Sequence, residues 1–358
     1  MELSGVMQFD DLIIHEENIQ EEAVDLVLKL RPQWKKDEIK VTVFTDGISN
    51  KLVGCCLKTD LAKDDLVLVR VYGQNSELLV DRKAELKTLA MMHAVGCSEP
   101  LYATFKNGLS YGFVQGHCLH EENVRDEHIA KLIAREMVTL HSVNPAEILP
   151  GVDLGETHTK SRSIVFIKLE RWLEYLKENP SPDEALPSVD ALRAELKMLE
   201  KELLQLNSPL VFSHNDLLLK NIVYNKEKDR AFFIDYEYGG FNHQPFDIAN
   251  HFCEYAGVQT VDYNLYPTKE YQLKWLRNYI EYQFIKDGKS KDDVNDMDVE
   301  KLYVHVDKFK LASHFFWGVW SVMQSMVSAI DFDYSDYAHI RLNEYFKQKP
   351  ASLSLKMP

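Results

Sequence analysis

Three side chains within twenty residues have the types and spacing needed to move a phosphoryl group. Asp216 ends the run Val211-Phe-Ser-His-Asn-Asp216, Asn221 follows five residues later, and Asp235 ends Ala231-Phe-Phe-Ile-Asp235. Phosphoryl transfer asks little covalent chemistry of a protein. It needs a carboxylate that takes or orients the proton of the attacking hydroxyl, and oxygen donors that hold Mg²⁺ against the phosphates. Magnesium is a hard ion suited to one or two carboxylates and an amide oxygen, with water and phosphate completing its shell. Asp216 fits the proton acceptor; Asn221 and Asp235 fit the metal donors. Each aspartate follows an apolar run that reads as a strand, so both carboxylates are expected at one sheet edge.

A second group of residues is unusual for where it falls. Leu66 to Tyr72 alternates so that Leu66, Leu68 and Arg70 share one strand face and Val67, Val69 and Val71 the other. An arginine on an apolar face calls for a buried acidic partner. Trp317 and Trp320 share a helix face at i, i+3 spacing, with Tyr337 further on. Aromatic faces attract alkylammonium ions, although two tryptophans so spaced also pack well in a core. Glu254 and Asp247 lie downstream of Asp235 and add negative charge suited to such a cation.

The elements that must position these residues divide near Gly116. Before it, Val41–Phe44 and Leu52–Cys55 flank the turn Asp46-Gly-Ile-Ser-Asn50 as a hairpin. Residues 81–95 read as a helix with Glu85, Thr88, Leu89 and Met92 on one side, and Tyr111–Gln115 as a short strand. The first third is therefore expected to be strands with one helix. Beyond Gly116, helices dominate. Ile129, Leu132, Ile133, Met137 and Leu140 form an apolar stripe, and so do Leu192, Leu196, Leu199, Leu203 and Leu206. Leu311–Ile330 carries no charge but contains Ser313, His314, Ser321, Gln324, Ser325 and Ser328, which suits a buried helix and not a membrane span.

Composition narrows the function classes. The chain has 358 residues, 45% hydrophobic and 27% charged, as expected of a soluble globular protein. A net charge of −15 argues against nonspecific nucleic-acid binding. Five cysteines, an odd number without zinc spacing, suit a reducing, cytoplasmic setting; the close trio His117, Cys118 and His120 is too tight to converge on one metal. The N-terminus shows no basic start followed by an apolar run, so no signal peptide is expected. No residue pattern assigns an oligomeric state.

The segment Val211–Glu254 resembles the catalytic core of the choline and ethanolamine kinases, which are related to protein kinases and aminoglycoside phosphotransferases. Protein kinases carry His-Arg-Asp and Asp-Phe-Gly at these places; here Asn215 replaces the arginine and Tyr236-Glu237 replaces Phe-Gly. The resemblance also takes in Asp46-Gly-Ile-Ser-Asn-Lys-Leu52, Leu68-Val-Arg70-Val-Tyr-Gly73 and Ser313-His-Phe-Phe-Trp317-Gly-Val-Trp320. Asp247 lies only twelve positions after Asp235, too few for the activation segment with which a protein kinase engages a peptide.

The resemblance implies an α+β, bilobal protein-kinase-like fold. Residues 1–116 would be a nucleotide-binding lobe with a small mixed sheet and one key helix, and 117–358 a larger, mainly helical catalytic and substrate-binding lobe. It implies ATP and Mg²⁺ as co-substrate and cofactor. Arg70 would contact the phosphates and Glu85 would orient it; Ser49 and Asn50 would cradle phosphate, and Phe113 and Val114 would contact adenine. Glu254, Trp317, Trp320 and Tyr337, beside Asp216, would line an amino-alcohol pocket. Leu217-Leu218 and Asp262-Tyr-Asn-Leu-Tyr-Pro267 resemble the ethanolamine branch, which implies ethanolamine as acceptor, with choline or another small amino alcohol as the alternative, and a place in phosphatidylethanolamine synthesis.

Overall fold

In a computed structural model of the chain, residues 5–44, 50–60, 65–73, 76–153, 155–328 and 330–358 are described. Two compact units emerge: Met1–Gly116 with Val327–Phe332, and His117–Met326 with Asp333–Pro358.

The first unit is built on a mixed six-stranded sheet. Its elements are β1 (Met7–Phe9), α1 (Ile19–Leu30), β2 (Ile39–Phe44), β3 (Asn50–Leu57), β4 (Val67–Tyr72), α2 (Arg82–Ala94), β5 (Leu101–Phe105) and β6 (Gly108–Gly112). Strand order is β1-β5-β6-β4-β3-β2, with β1 parallel to β5 and the other neighbours antiparallel. The alternation in β4 splits as its sequence requires. Val67, Val69 and Val71 pack with Ala23, Val24, Leu26 and Val27 of α1, while Leu68 joins Leu66 and Cys56 on the opposite face.

Two expectations need correction here. Helix α1 is a second helix in a region expected to hold one; its signal is the apolar spacing of Ile19, Ala23, Leu26 and Leu30. The strand expected at Tyr111–Gln115 instead spans Gly108–Gly112 and turns directly out of β5. Gly108 makes that turn possible, because a Cβ there would collide with the carbonyl oxygen of Arg70. Helix α2 starts at Asp81, whose carboxylate accepts from the backbone N–H groups of Lys83 and Ala84, both at 3.0 Å.

The second unit contains β7 (His117–Cys118), α3 (Glu127–His141), α4 (Pro145–Ile148), α5 (Ile164–Glu178) and α6 (Val189–Leu204). It continues with β8 (Leu210–Ser213), β9 (Ile222–Asn225), β10 (Arg230–Phe233) and β11 (Gly240–His243), then α7 (Gln244–Cys253), α8 (Lys269–Lys286), α9 (Asp296–Val327) and α10 (Tyr334–Ser354). The stripe on α3 is buried throughout, as are Leu192, Leu196, Leu199 and Leu203 on α6, while Leu206 falls beyond that helix. All residues of α9 from Leu311 to Gln324 are buried. Among the described residues, no helix is long and apolar enough to cross a membrane. Gly318 lets α10 approach closely, since a Cβ there would lie 2.7 Å from Leu342 Cγ. His120 faces the ammonium of Lys220 at 3.1 Å, an environment that repels a metal ion.

Five buried histidines give this unit a predictable response to acid. Burial lowers the pKa of His214, His243, His251, His305 and His314, to about 4 for His251 and His305. Each binds a proton more readily unfolded, with a reference pKa of 6.5, so folding stability is lost as pH falls from there toward 4. A shift of the size seen at His251 corresponds to about 3 kcal/mol. Asp216, whose pKa is raised, opposes the trend, but one carboxyl is set against five imidazoles. Thermal melts should show a stable plateau above neutrality and a steep loss of Tm between pH 6.5 and 4. A flat profile across that window would contradict the buried-neutral assignment.

Candidate active site

Asp216 and Asp235 do not share a sheet. Asp216 follows β8, which pairs with β11, whereas Asp235 follows β10, which pairs with β9. The expected common edge is replaced by a direct lacing of the two chain segments. His214 Nε2 lies 2.9 Å from the carbonyl oxygen of Ile234, and the Ile234 N–H donates to the carbonyl of Asn221 at 3.0 Å. The His214 ring also packs on Phe233 and Tyr236. Both turns adopt left-handed backbone conformations, φ 68° at Asn215 and 64° at Asp235. Non-glycine residues hold that conformation only where their surroundings enforce it.

Asn215, standing where protein kinases carry arginine, supplies part of that enforcement. Its Nδ2 donates to the carbonyls of Tyr238 and Gly240 at 3.0 and 3.3 Å, and its Oδ1 accepts from Asn242 at 2.8 Å. Asp247 supplies the rest. Its two carboxylate oxygens accept from the backbone N–H groups of His214 (2.9 Å) and Asn215 (2.7 Å). His141 Nε2 reaches the same carboxylate at 3.0 Å, and its Nδ1 lies 2.6 Å from the Tyr279 hydroxyl, which accepts from Gln244 at 2.8 Å. Burial works to raise the Asp247 pKa, but His141 and His214 outweigh it and hold the group below the ordinary carboxylate range. Asp247 is thus spent on bracing the loop, not on adding charge for a cation as its position in sequence implied.

Asp216 is in the opposite situation. Burial, then the carboxylates of Asp235, Glu254 and Glu237, push its pKa well above the usual range, with Asn221 opposing. A carboxyl so placed has a strong affinity for a proton. Asn221 Nδ2 donates to the Asp216 carbonyl at 2.9 Å, while Asn221 Oδ1 accepts no hydrogen bond from any described residue. That leaves an amide oxygen beside an acidic group, a donor set suited to Mg²⁺.

The aromatic residues gather around the same helices. Trp317 and Trp320 are buried, with ring centroids 5.3 Å apart. The Trp317 indole N–H donates to Asn250 Oδ1 and that of Trp320 to the Tyr238 hydroxyl, both at 2.7 Å. Tyr337 and Glu254 are also buried, and both hydrogen-bond Arg341 Nη1 at 2.9 Å. Arg341 and Tyr238 escaped the sequence reading. Neither stands in a local pattern that marks it: Glu254, paired with Arg341, and Trp320, bonded to Tyr238, lie far away in sequence.

In the first unit, Arg70 is buried and ion-paired to Glu85, its expected partner. Glu85 also accepts from Arg82 at 2.9 Å. Arg82 in turn donates to Ser76 at 2.7 Å and reaches Asn50 Oδ1 at 3.4 Å. Phe113 stacks on Phe44 with centroids 6.2 Å apart, and Val114 is buried. Ser49 and the turn Asp46–Ser49 lie outside the described residues.

A mixed α+β chain with a braced His-Asn-Asp loop, a following asparagine and a strand-end aspartate defines a protein-kinase-like phosphotransferase. The family description Choline/ethanolamine kinase matches residues 41–346. The chain belongs to the choline/ethanolamine kinase family. Ethanolamine kinase 2 of Homo sapiens is 45% identical over 338 residues, covering 94% of this chain and 83% of that protein. Among solved structures, the Plasmodium vivax ethanolamine kinase matches with a TM-score of 0.77 and 25% identity, covering 94% of this chain and 90% of that one. The choline kinase from Cryptosporidium parvum matches with a TM-score of 0.74 and 25% identity, covering 92% and 95%.

Replacing Asp247 by alanine strips two backbone N–H groups and His141 of their acceptor. Denaturant unfolding should show a loss of roughly 3 kcal/mol or more. Unchanged stability would contradict the bracing role.

Proposed function

We propose that this protein transfers the γ-phosphoryl group of ATP to the hydroxyl of ethanolamine, giving phosphoethanolamine and ADP. The observation that carries the reading is the pairing, on one unit, of a proton-avid Asp216 beside Asn221 with a buried acidic and aromatic group around Glu254. The match to ethanolamine kinases over nearly the whole chain supports the same acceptor.

The assigned roles follow from the chemistry. Asp216 accepts the hydroxyl proton as the oxygen bonds to the γ-phosphorus and the bond to the β,γ-bridging oxygen breaks, releasing ADP. Asn221 Oδ1 and the Asp235 carboxylate are the groups that would hold Mg²⁺, which when bound neutralises phosphate charge. Arg70, oriented by Glu85, is assigned to the ATP phosphates, where a guanidinium fork suits phosphate oxygens. Asn50 and Ser49 are assigned to phosphate, and Phe113 and Val114 to adenine. Glu254, Trp317, Trp320 and Tyr337 are assigned to the ammonium: the carboxylate for its N–H groups, the rings for its charge. We place the reaction in the cytoplasm, at the start of the route to phosphatidylethanolamine.

Asp216→Ala and Asp235→Ala should each lower ethanolamine-dependent ADP release by at least about a hundredfold in folded protein. Near-normal turnover in either would remove the role given to that residue. Trp320→Ala should raise the KM for ethanolamine much more than that for ATP. Equal rises in both would reduce Trp320 to a core residue.

A further inference from the structure

Arg341 is among the most deeply buried charged residues of the chain, at 2% exposure. A buried guanidinium costs several kcal/mol unless its N–H groups are well matched. Its two terminal nitrogens are matched: Nη1 donates to Glu254 Oε1 and to the Tyr337 hydroxyl, each at 2.9 Å, and Nη2 donates to Ser313 Oγ at 3.0 Å. Ser313 passes the connection on, donating to Asn250 Oδ1 at 2.8 Å. That same oxygen accepts the Trp317 indole N–H at 2.7 Å. One planar fork therefore ties together Glu254, Tyr337 and, through two polar side chains, Trp317. Its position on α10 places it one helical turn from Tyr337.

We propose that Arg341 is a positioning residue for the ammonium site: it fixes the Glu254 carboxylate through Oε1 and so presents Oε2 to the amine. The inference deepens, and rests on, the reading of the protein as an amino-alcohol kinase. Glu254 has two oxygens, and Arg341 engages only one; Oε2 accepts no hydrogen bond from any described residue. Glu254 and Tyr337 both lie near enough to Asp216 to interact with it electrostatically. An amine held at Oε2 would therefore bring its hydroxyl end toward the proton acceptor. The guanidinium weakens the net negative charge that a cation meets, so its contribution is orientation. A carboxylate held in one geometry binds without first losing rotamer freedom.

Arg341→Lys keeps the positive charge and removes the fork. It should raise the KM for ethanolamine about tenfold or more and leave the KM for ATP within about twofold. Glu254→Gln should raise the amine KM as well. The double variant should be no worse than the weaker-binding single variant, because Arg341 acts through Glu254. Ser313→Ala keeps both Nη1 contacts, removes the Nη2 contact together with the bond to Asn250 Oδ1, and should move the amine KM in the same direction by a smaller factor. It decides the matter alone if Arg341→Lys does not fold. Folded variants with an unchanged amine KM, or with equal rises for amine and ATP, would overturn the proposal. Wild-type protein with no amine-dependent ADP release would overturn the functional reading and this inference with it. Normal wild-type turnover with unmoved variants would overturn the inference alone.

Discussion

The Asp247 carboxylate, with each oxygen on a backbone N–H of the His-Asn-Asp loop, is the contact on which the geometry of that loop depends. A loop that must hold Asn215 in a left-handed conformation pays a local conformational cost, and that cost persists only under outside constraint. Asp247 provides the constraint from the first turn of α7, where negative charge is favoured by the helix dipole. His141, Tyr279 and Gln244 extend the brace to α3, α8 and the start of α7. The loop carrying Asp216 is thereby fixed by rigid elements on several sides.

With the loop fixed, the same neighbourhood uses carboxylates in two opposite ways. Asp247 is surrounded by donors and stays ionised; Asp216 is crowded by other acids and binds a proton more tightly than an ordinary carboxylate. Two aspartates thirty-one residues apart thus acquire opposite proton affinities from their surroundings alone. Glu254 is paired on one oxygen by Arg341. The Trp317 and Trp320 indole N–H groups, bonded to Asn250 and Tyr238, fix the two rings in place.

Much of this was legible in the sequence wherever the signal was local. The alternation around Arg70 identified both faces of β4 and called for a buried acid, and the heptad-like leucines identified α6. The polar residues within Leu311–Ile330 separated a buried helix from a membrane span; of those that are buried, Ser313 donates to Asn250 and the His314 ring packs edge-on against Tyr263. What the sequence did not disclose depends on distant partners. The pairing of Asp247 with N–H groups more than thirty residues upstream leaves no local pattern, so its carboxylate read as spare charge for a cation. The bond from Arg341 to Glu254 spans 87 residues and is equally silent. The shift of β6 to Gly108–Gly112 came from a tight turn whose glycine is needed for close backbone approach, a requirement that hydrophobic alternation does not report.

The account centres on a site that selects a small primary amino alcohol and phosphorylates its hydroxyl. The most direct test gives the purified protein equal amounts of ethanolamine and choline with limiting Mg-ATP and follows the products by phosphorus NMR. Phosphoethanolamine should dominate and should match the ADP formed mole for mole. Predominant phosphocholine, or ADP formed without either phosphomonoester, would contradict the account.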